Sequence, residues 1–136
     1  MPFCKNLHDR SFITKIYKYN NLINYTNSKT YIPDLVRFID KIIDSKIKTT
    51  SIGVINFVNS EAQDTAYLVE RMKSHNLINK DWKFVPIESI DIKAPRSNCV
   101  LSLDKLKTLF PDFAILTEKE AIEDALVNIT TKPKII

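Results

Sequence analysis

The chain has 136 residues, enough for one domain on a single core and too few for two. With 44% hydrophobic and 26% charged residues it has an ordinary globular composition, and no apolar run approaches the roughly 20 residues that cross a bilayer. The net charge of +4 is spread along the sequence, its longest basic clusters being Lys46-Ile47-Lys48 and Lys132-Pro133-Lys134, which argues for a solvated surface with a mild pull on anions and against a nucleic-acid partner.

The opening Met1-Pro2-Phe3-Cys4-Lys5 has no apolar h-region, so no signal peptide is expected and a cytoplasmic protein is the default. Ser11 is placed to cap a short helix whose Phe12, Ile13, Ile16 and Tyr17 share one face. Asn21-Leu22-Ile23-Asn24-Tyr25 reads as a strand, and Thr30-Tyr31-Ile32 is extended, as the residues before Pro33 should be. Pro33 suits the first position of a helix and Asp34 its first turn; Leu35, Val36, Phe38, Ile39, Ile42 and Ile43 then form an apolar stripe as far as about Ser45. Ile52-Gly53-Val54-Ile55-Asn56-Phe57-Val58 has the continuous β-branched and aromatic character of a strand buried on both faces. Ser60 is expected to cap a helix that turns Ala62, Ala66, Leu68 (or Val69) and Met72 inward and ends near Asn76. Trp82-Lys83-Phe84-Val85-Pro86 alternates like a strand, with Trp82 anchoring the core, and residues 88–98 read as a loop. Ser102 caps a helix with Leu103, Leu106, Leu109 and Phe110, stopped by Pro111. Thr117-Glu118-Lys119-Glu120 is a capping box ahead of a last helix carrying Ala121, Ile122, Ala125, Leu126 and Ile129.

Gly53 is the only glycine. Phosphate-cradling turns need several glycines so that backbone N–H groups can approach the phosphates, so GxGxxG and GxxxxGK[ST] are both excluded. Cys4 and Cys99 form no CxxC, and with only His8 and His75 beside them no structural zinc site is expected. His75, near a helix end, suits the dipole there as a cation. Cys99, in an apolar run, reads as a small buried hydrophobe.

The element order is α/β: a small three-layer or partial α/β domain that looks like part of a larger fold. Four stretches carry a closer likeness. They are Met1-Pro2 followed by Ser11-Phe12-Ile13-Thr14-Lys15-Ile16; Asn27-Ser28-x-Thr30; Gly53-Val54-Ile55-Asn56-Phe57-Val58-Asn59; and Ala94-Pro95-Arg96-Ser97-Asn98, followed by Leu103-x-Lys105-Leu106 and Phe110-Pro111. In this order they resemble the C-terminal, substrate-binding part of an extended short-chain dehydrogenase/reductase acting on nucleotide sugars. The nearest likeness is to the UDP-4-keto-6-deoxyglucose 3,5-epimerase/4-reductases of UDP-rhamnose synthesis, with the dTDP-4-dehydrorhamnose reductases similar in less detail.

The resemblance implies a single substrate-binding domain or fragment over 1–136: 1–50 adjoining a Rossmann-type half absent from these residues, 51–130 a substrate lobe and 131–136 a tail. It implies NADPH as cofactor of the intact enzyme, none being expected to bind this chain alone. The expected partners are a UDP- or dTDP-linked 4-keto-6-deoxyhexose and either the N-terminal Rossmann half or a second copy, with no nucleic acid and no membrane. In the family a glycine-rich turn holds the cofactor, and a helical Tyr-x-x-x-Lys supplies the proton that hydride addition to a ketone requires. Neither is expected here, so unaided reductase activity is not; the alternative is a non-catalytic regulatory or interaction protein of the same descent. Tyr25-Thr26-Asn27-Ser28-Lys29 has the spacing, but poor helix formers between Tyr25 and Lys29 and Pro33 beyond argue for coincidence, Tyr25 being a strand residue and Lys29 a surface one.

Arg96 is the first candidate site residue: a guanidinium holds two phosphate oxygens in charge-assisted bonds. By resemblance this loop grips the nucleotide diphosphate, Ser97 and Asn98 adding neutral donors; the plain alternative is a surface arginine paired with Asp91 or Glu88. By resemblance too, Phe12 and Lys15 lie near the nucleotide or sugar, though core packing and solvation explain them equally. Asn27, Ser28 and Thr30 match the family loop that faces the sugar, and a turn preference explains Asn-Ser equally. Phe12, Tyr17 and Tyr31 are the expected bared apolar surface where the other half would sit, making self-association or marginal stability the expectation.

Overall fold

A computed structural model of the chain describes residues 1–47, 52–90 and 97–129. In chain order they form β1 (Pro2–Phe3), α1 (Phe12–Lys18), β2 (Asn21–Leu22), β3 (Thr30–Tyr31), α2 (Ile32–Asp44), α3 (Thr65–Ser74), β4 (Lys83–Phe84), a 3-10 turn (Ile87–Ser89), α4 (Asp104–Leu109) and α5 (Glu118–Val127). β1 pairs with β3 and β2 with β4, both parallel. The fold is a small α/β one, as the pattern implied, and no helix of the described residues is long and apolar enough to cross a membrane.

Local chemistry explains most helix ends. α2 has Pro33 and Asp34 in its first turn and ends at Ser45, whose N–H donates to the Ile42 carbonyl. α5 opens on the expected capping box, the Thr117 hydroxyl accepting from the Glu120 N–H and the Glu120 carboxylate from the Thr117 N–H. α1 starts where expected, but the Ser11 side chain makes no cap bond. α3 starts at Thr65, not after Ser60. Glu61 sits at φ +55, a left-handed conformation that interrupts a right-handed helix, and the Asp64 carboxylate takes the Tyr67 N–H instead.

The expected strand at 52–58 does not form. Gly53 lies at φ +60, Val54 is 84% exposed, and residues 53–59 have no regular structure. Only the end of the stretch is tied to β3: the Thr30 hydroxyl donates to the Phe57 carbonyl, the Asn59 N–H to the Lys29 carbonyl, and the Tyr31 N–H to the Asn59 side-chain oxygen at 2.7 Å.

Two apolar clusters form the core, each drawing on residues from both sides of position 50. The first joins Phe3, Ile13, Ile16 and Tyr31 to Leu68, Met72, Ile122 and Trp82, whose indole N–H donates to the Ile16 carbonyl at 2.9 Å. The second centres on Phe38, whose ring lies 5.1 Å from those of Phe57, Phe110 and Phe113. Buried Asp34 binds the two together by accepting from the Asn59 amide and the Leu116 N–H.

The bared apolar surface is not where the sequence suggested. Tyr31 is buried, and Phe12 and Tyr17 pack half-buried against the first cluster. The exposed residues lie on α2 instead: Ile32 (37%), Val36 (50%), Ile39 (45%) and Ile43 (73%). Of the stripe read from the sequence, Phe38 alone is fully buried.

Candidate functional site

The parallel pair β2–β4 sends both chains out at the same end. Ile23, Asn24 and Tyr25 leave β2; Val85, Pro86 and the 3-10 turn leave β4, and the Val85 N–H bonds the Leu22 carbonyl at 2.9 Å. Between them is an open groove of about 330 Å³, lined among others by Asn24, Tyr25, Phe84, Pro86 and Glu88. The carboxyl ends of parallel strands are where α/β folds leave ligand crevices, because the departing loops splay apart there. Phe84 keeps 41% of its surface exposed.

Beside the groove, residues 97–101 lie along residues 26–28. The Asn98 side-chain oxygen accepts from the Thr26 N–H at 2.9 Å and that of Asn27 from the Cys99 N–H at 2.7 Å. The Ser28 N–H donates to the Cys99 carbonyl, and the Ser28 hydroxyl accepts from the Leu101 N–H, both at 2.9 Å. The structure thus brings Asn27, Ser28 and Asn98 together, Ser97 adjoining Asn98 along the chain, whereas the Thr30 hydroxyl turns to the Phe57 carbonyl. Much of their hydrogen-bonding capacity holds two segments in register, and the Asn27 and Asn98 amide nitrogens carry no hydrogen bond among the described residues. Arg96, with Ala94 and Pro95, lies outside the described residues; Ser97 is exposed.

The loop is anchored from beneath by a residue the sequence reading placed on the surface. Lys29 is wholly buried, its ammonium donating to the carbonyls of Asn27 (3.2 Å) and Gln63 (2.6 Å) and to Glu118 Oε1 at 2.5 Å, with the Phe12 ring 5.8 Å away. Glu118 is equally buried; loss of hydration pushes its carboxyl above the ordinary range and the Lys29 ammonium opposes that rise. Lysine is tolerated there because every donor direction meets an oxygen. Phe12 and Lys15 lie one helix away on α1, and Lys15 is exposed. Tyr25 and Lys29 do not share a helical turn, residues 25–29 being irregular with a single bridge at Asn27.

One minor reading changes: Cys99 is exposed, because its segment is held by backbone bonds on the surface and never enters the core. His75 stands at the end of α3, as expected, with Nε2 2.9 Å from Glu123 Oε2. The sequence reading did not single out as site residues Tyr25 and Phe84, which line the groove: Phe84 ends β4 in register with Leu22, and Tyr25 lies in the irregular stretch beyond β2.

No glycine-rich phosphate-binding turn opens a helix among the described residues. Gly53 opens no helix, and the Lys105 ammonium lies 3.5 Å from where its Cβ would stand. The N-terminus of α3 is closed by the Asp64 carboxylate, which repels a phosphate.

Comparison with known proteins decides the descent. The chain is 31% identical over 127 residues to a trifunctional UDP-glucose 4,6-dehydratase/UDP-4-keto-6-deoxy-D-glucose 3,5-epimerase/UDP-4-keto-L-rhamnose-reductase of Arabidopsis thaliana, covering 90% of itself and 18% of that protein. To the bifunctional dTDP-4-dehydrorhamnose 3,5-epimerase/dTDP-4-dehydrorhamnose reductase of the same plant it is 29% identical over 136 residues, covering 98% and 42%. The chain is a homologue of the rhamnose-nucleotide epimerase/reductases. Its backbone superposes on the crystal structure of the L780 UDP-rhamnose synthase from Acanthamoeba polyphaga mimivirus with a TM-score of 0.79 and 26% identity, covering 94% of this chain and 43% of that one. No protein-family model matches. The match is to the C-terminal epimerase/reductase parts of these relatives, and the homologue spans less than half of their length.

Proposed function

We propose that this epimerase/reductase homologue holds and orients a nucleotide sugar, a UDP- or dTDP-linked 4-keto-6-deoxyhexose, for chemistry whose reacting groups lie outside it. What carries the reading is the groove beyond β2 and β4 with Tyr25 and Phe84 in its lining, beside the joined Asn27–Ser28 and Ser97–Asn98 segments, in a chain whose relatives are named for such sugars. The two aromatics offer a face for the base, since stacking on a ring tolerates any pyrimidine. The amides of Asn27 and Asn98 offer donors to hydroxyl or phosphate oxygens, and Arg96, one residue before Ser97, supplies the bidentate cation for the diphosphate. Fixing the substrate in this way lowers the barrier by orientation even where no reacting group is contributed. NADPH would be held by the part of the relatives that this chain does not match, and the setting would be cytoplasmic.

Isothermal titration of the 136-residue chain with UDP and with dTDP tests the reading. Binding is expected, weakened at least several-fold by Arg96→Ala and by Tyr25→Ala/Phe84→Ala, with circular dichroism unchanged. No binding by the folded chain, or affinity untouched by both variants, would remove the assignment.

A further inference from the structure

Lys29 is fully buried at a place that an apolar side chain could fill. Buried ion pairs are seldom more stabilising than apolar residues of similar size, so its pairing with Glu118 calls for a reason other than stability. The two carbonyls that share its ammonium, those of Asn27 and Gln63, supply one.

A peptide group is planar and rigid, so whatever fixes its C=O also aims its N–H. The Asn27 carbonyl belongs to the same peptide as the Ser28 N–H, which donates to the Cys99 carbonyl at 2.9 Å. One edge of this peptide is therefore held by the ammonium and the other by residues 97–101. From that point the Asn27 side chain takes the Cys99 N–H, and the Ser28 hydroxyl takes the Leu101 N–H. The Gln63 carbonyl in turn shares its peptide with the nitrogen of Asp64. The Asp64 carboxylate accepts from the Asn24 amide at 3.1 Å, and the Asn24 side-chain oxygen accepts from the Ala66 N–H at 2.9 Å, which ties the groove wall to the same ammonium. A carbonyl left without a donor in a dry place turns toward water, and its peptide turns with it.

We propose that Lys29 is the positioning residue of the nucleotide-sugar site, its one ammonium setting the Asn27–Ser28 peptide against the Asn24–Tyr25 wall of the groove. Glu118 supplies the counter-charge that makes the burial tolerable. That a ligand sits on this loop rests on the function proposed above; the ammonium's hold on the loop does not.

Two variants separate positioning from packing. Lys29→Met/Glu118→Leu removes both charges, refills the place with apolar groups and leaves both carbonyls without their donor. Glu118→Gln removes the counter-charge but keeps the donor, because the amine has N–H groups for both carbonyls whether or not it holds its third proton. The readouts are amide hydrogen exchange by NMR at Ser28 and Cys99, and titration with UDP. In the double variant exchange at both amides should quicken about tenfold or more, and UDP should bind several-fold more weakly. In Glu118→Gln both readouts should stay within about twofold of the parent although its melting temperature falls. Amides unmoved in the double variant, or quickened as much in Glu118→Gln, would show a role in packing alone and overturn the proposal. Loosened amides with unchanged UDP affinity would overturn it too, for the loop would then lie outside the site. A parent that binds no UDP overturns the ligand assignment instead, and exchange then decides the ammonium's hold on the loop by itself.

Discussion

The Lys29–Glu118 pair permits a sharp energetic test, because both side chains are fully buried and their partners are known atom by atom. Lys29→Met keeps the aliphatic length and removes the ammonium. It leaves Glu118 buried without a counter-charge and the carbonyls of Asn27 and Gln63 without a donor. Breaking such a pair from one side costs about 3–5 kcal/mol, about a fifth or more of the roughly 5–15 kcal/mol that holds a domain of this size together. Glu118→Leu should cost a similar amount, for the mirror reason. The double variant Lys29→Met/Glu118→Leu removes both charges and restores apolar packing. Its loss should be far below the sum of the singles: it escapes the uncompensated charge and retains only the two unsatisfied carbonyls, each about 1–3 kcal/mol. The double-mutant cycle should therefore show a coupling of at least about 2 kcal/mol. Urea unfolding at pH 7, followed by circular dichroism, gives all four stabilities from midpoints and slopes. A Lys29→Met protein within about 0.5 kcal/mol of the parent would refute the buried pair; additive single losses would refute the argument that unpaired charge is what costs.

Phe38→Ala should lose about 3–5 kcal/mol, since it empties the point where Phe57, Phe110 and Phe113 meet, and the same urea assay reads it. The acid limb of stability should show Glu123. The Arg71 guanidinium at 2.5 Å, aided by His75, holds its carboxyl below the ordinary range, so its contribution is complete above about pH 4.5 and fades as pH falls through the lower folded value. Glu123→Gln should then lie below the parent at pH 7, the gap closing on acidification toward pH 3; a gap that widened would reverse the sign. Glu118, on the same helix, acts oppositely, because a carboxyl raised by burial loses stability as pH rises from about 4.5.

What could be read from the sequence was what neighbouring residues decide. The capping box at Thr117 and Glu120 is closed by side chains three apart, and Pro33 with Asp34 starts α2 with no help from elsewhere. The strand expected at 52–58 failed because β-branched residues state only a preference. Gly53 turns left-handed, and the stretch meets β3 only around residues 57–59, so Val54 is left in water. Ser60 and Asp64 are comparable caps; the choice fell to Asp64, whose second oxygen also takes the Asn24 amide from forty residues away.

The site divides along the same line. The likeness singled out Asn27, Ser28 and Asn98 in two separate stretches, but their bonds span more than seventy residues, so their contact could not be read. Lys29 and Glu118 were less legible still. Each alone reads as a surface charge, because burying either one singly is prohibitive, and only the fold, by bringing together residues 89 positions apart, turns two prohibitive burials into one tolerable pair. A charge's burial is a property of a pair of residues, so reading a sequence one residue at a time assigns both members to the surface. The anchor beneath a binding loop is where that error matters most: whatever holds the loop's backbone carbonyls must be a donor, and the strongest donors are the charged side chains such a reading sends outside.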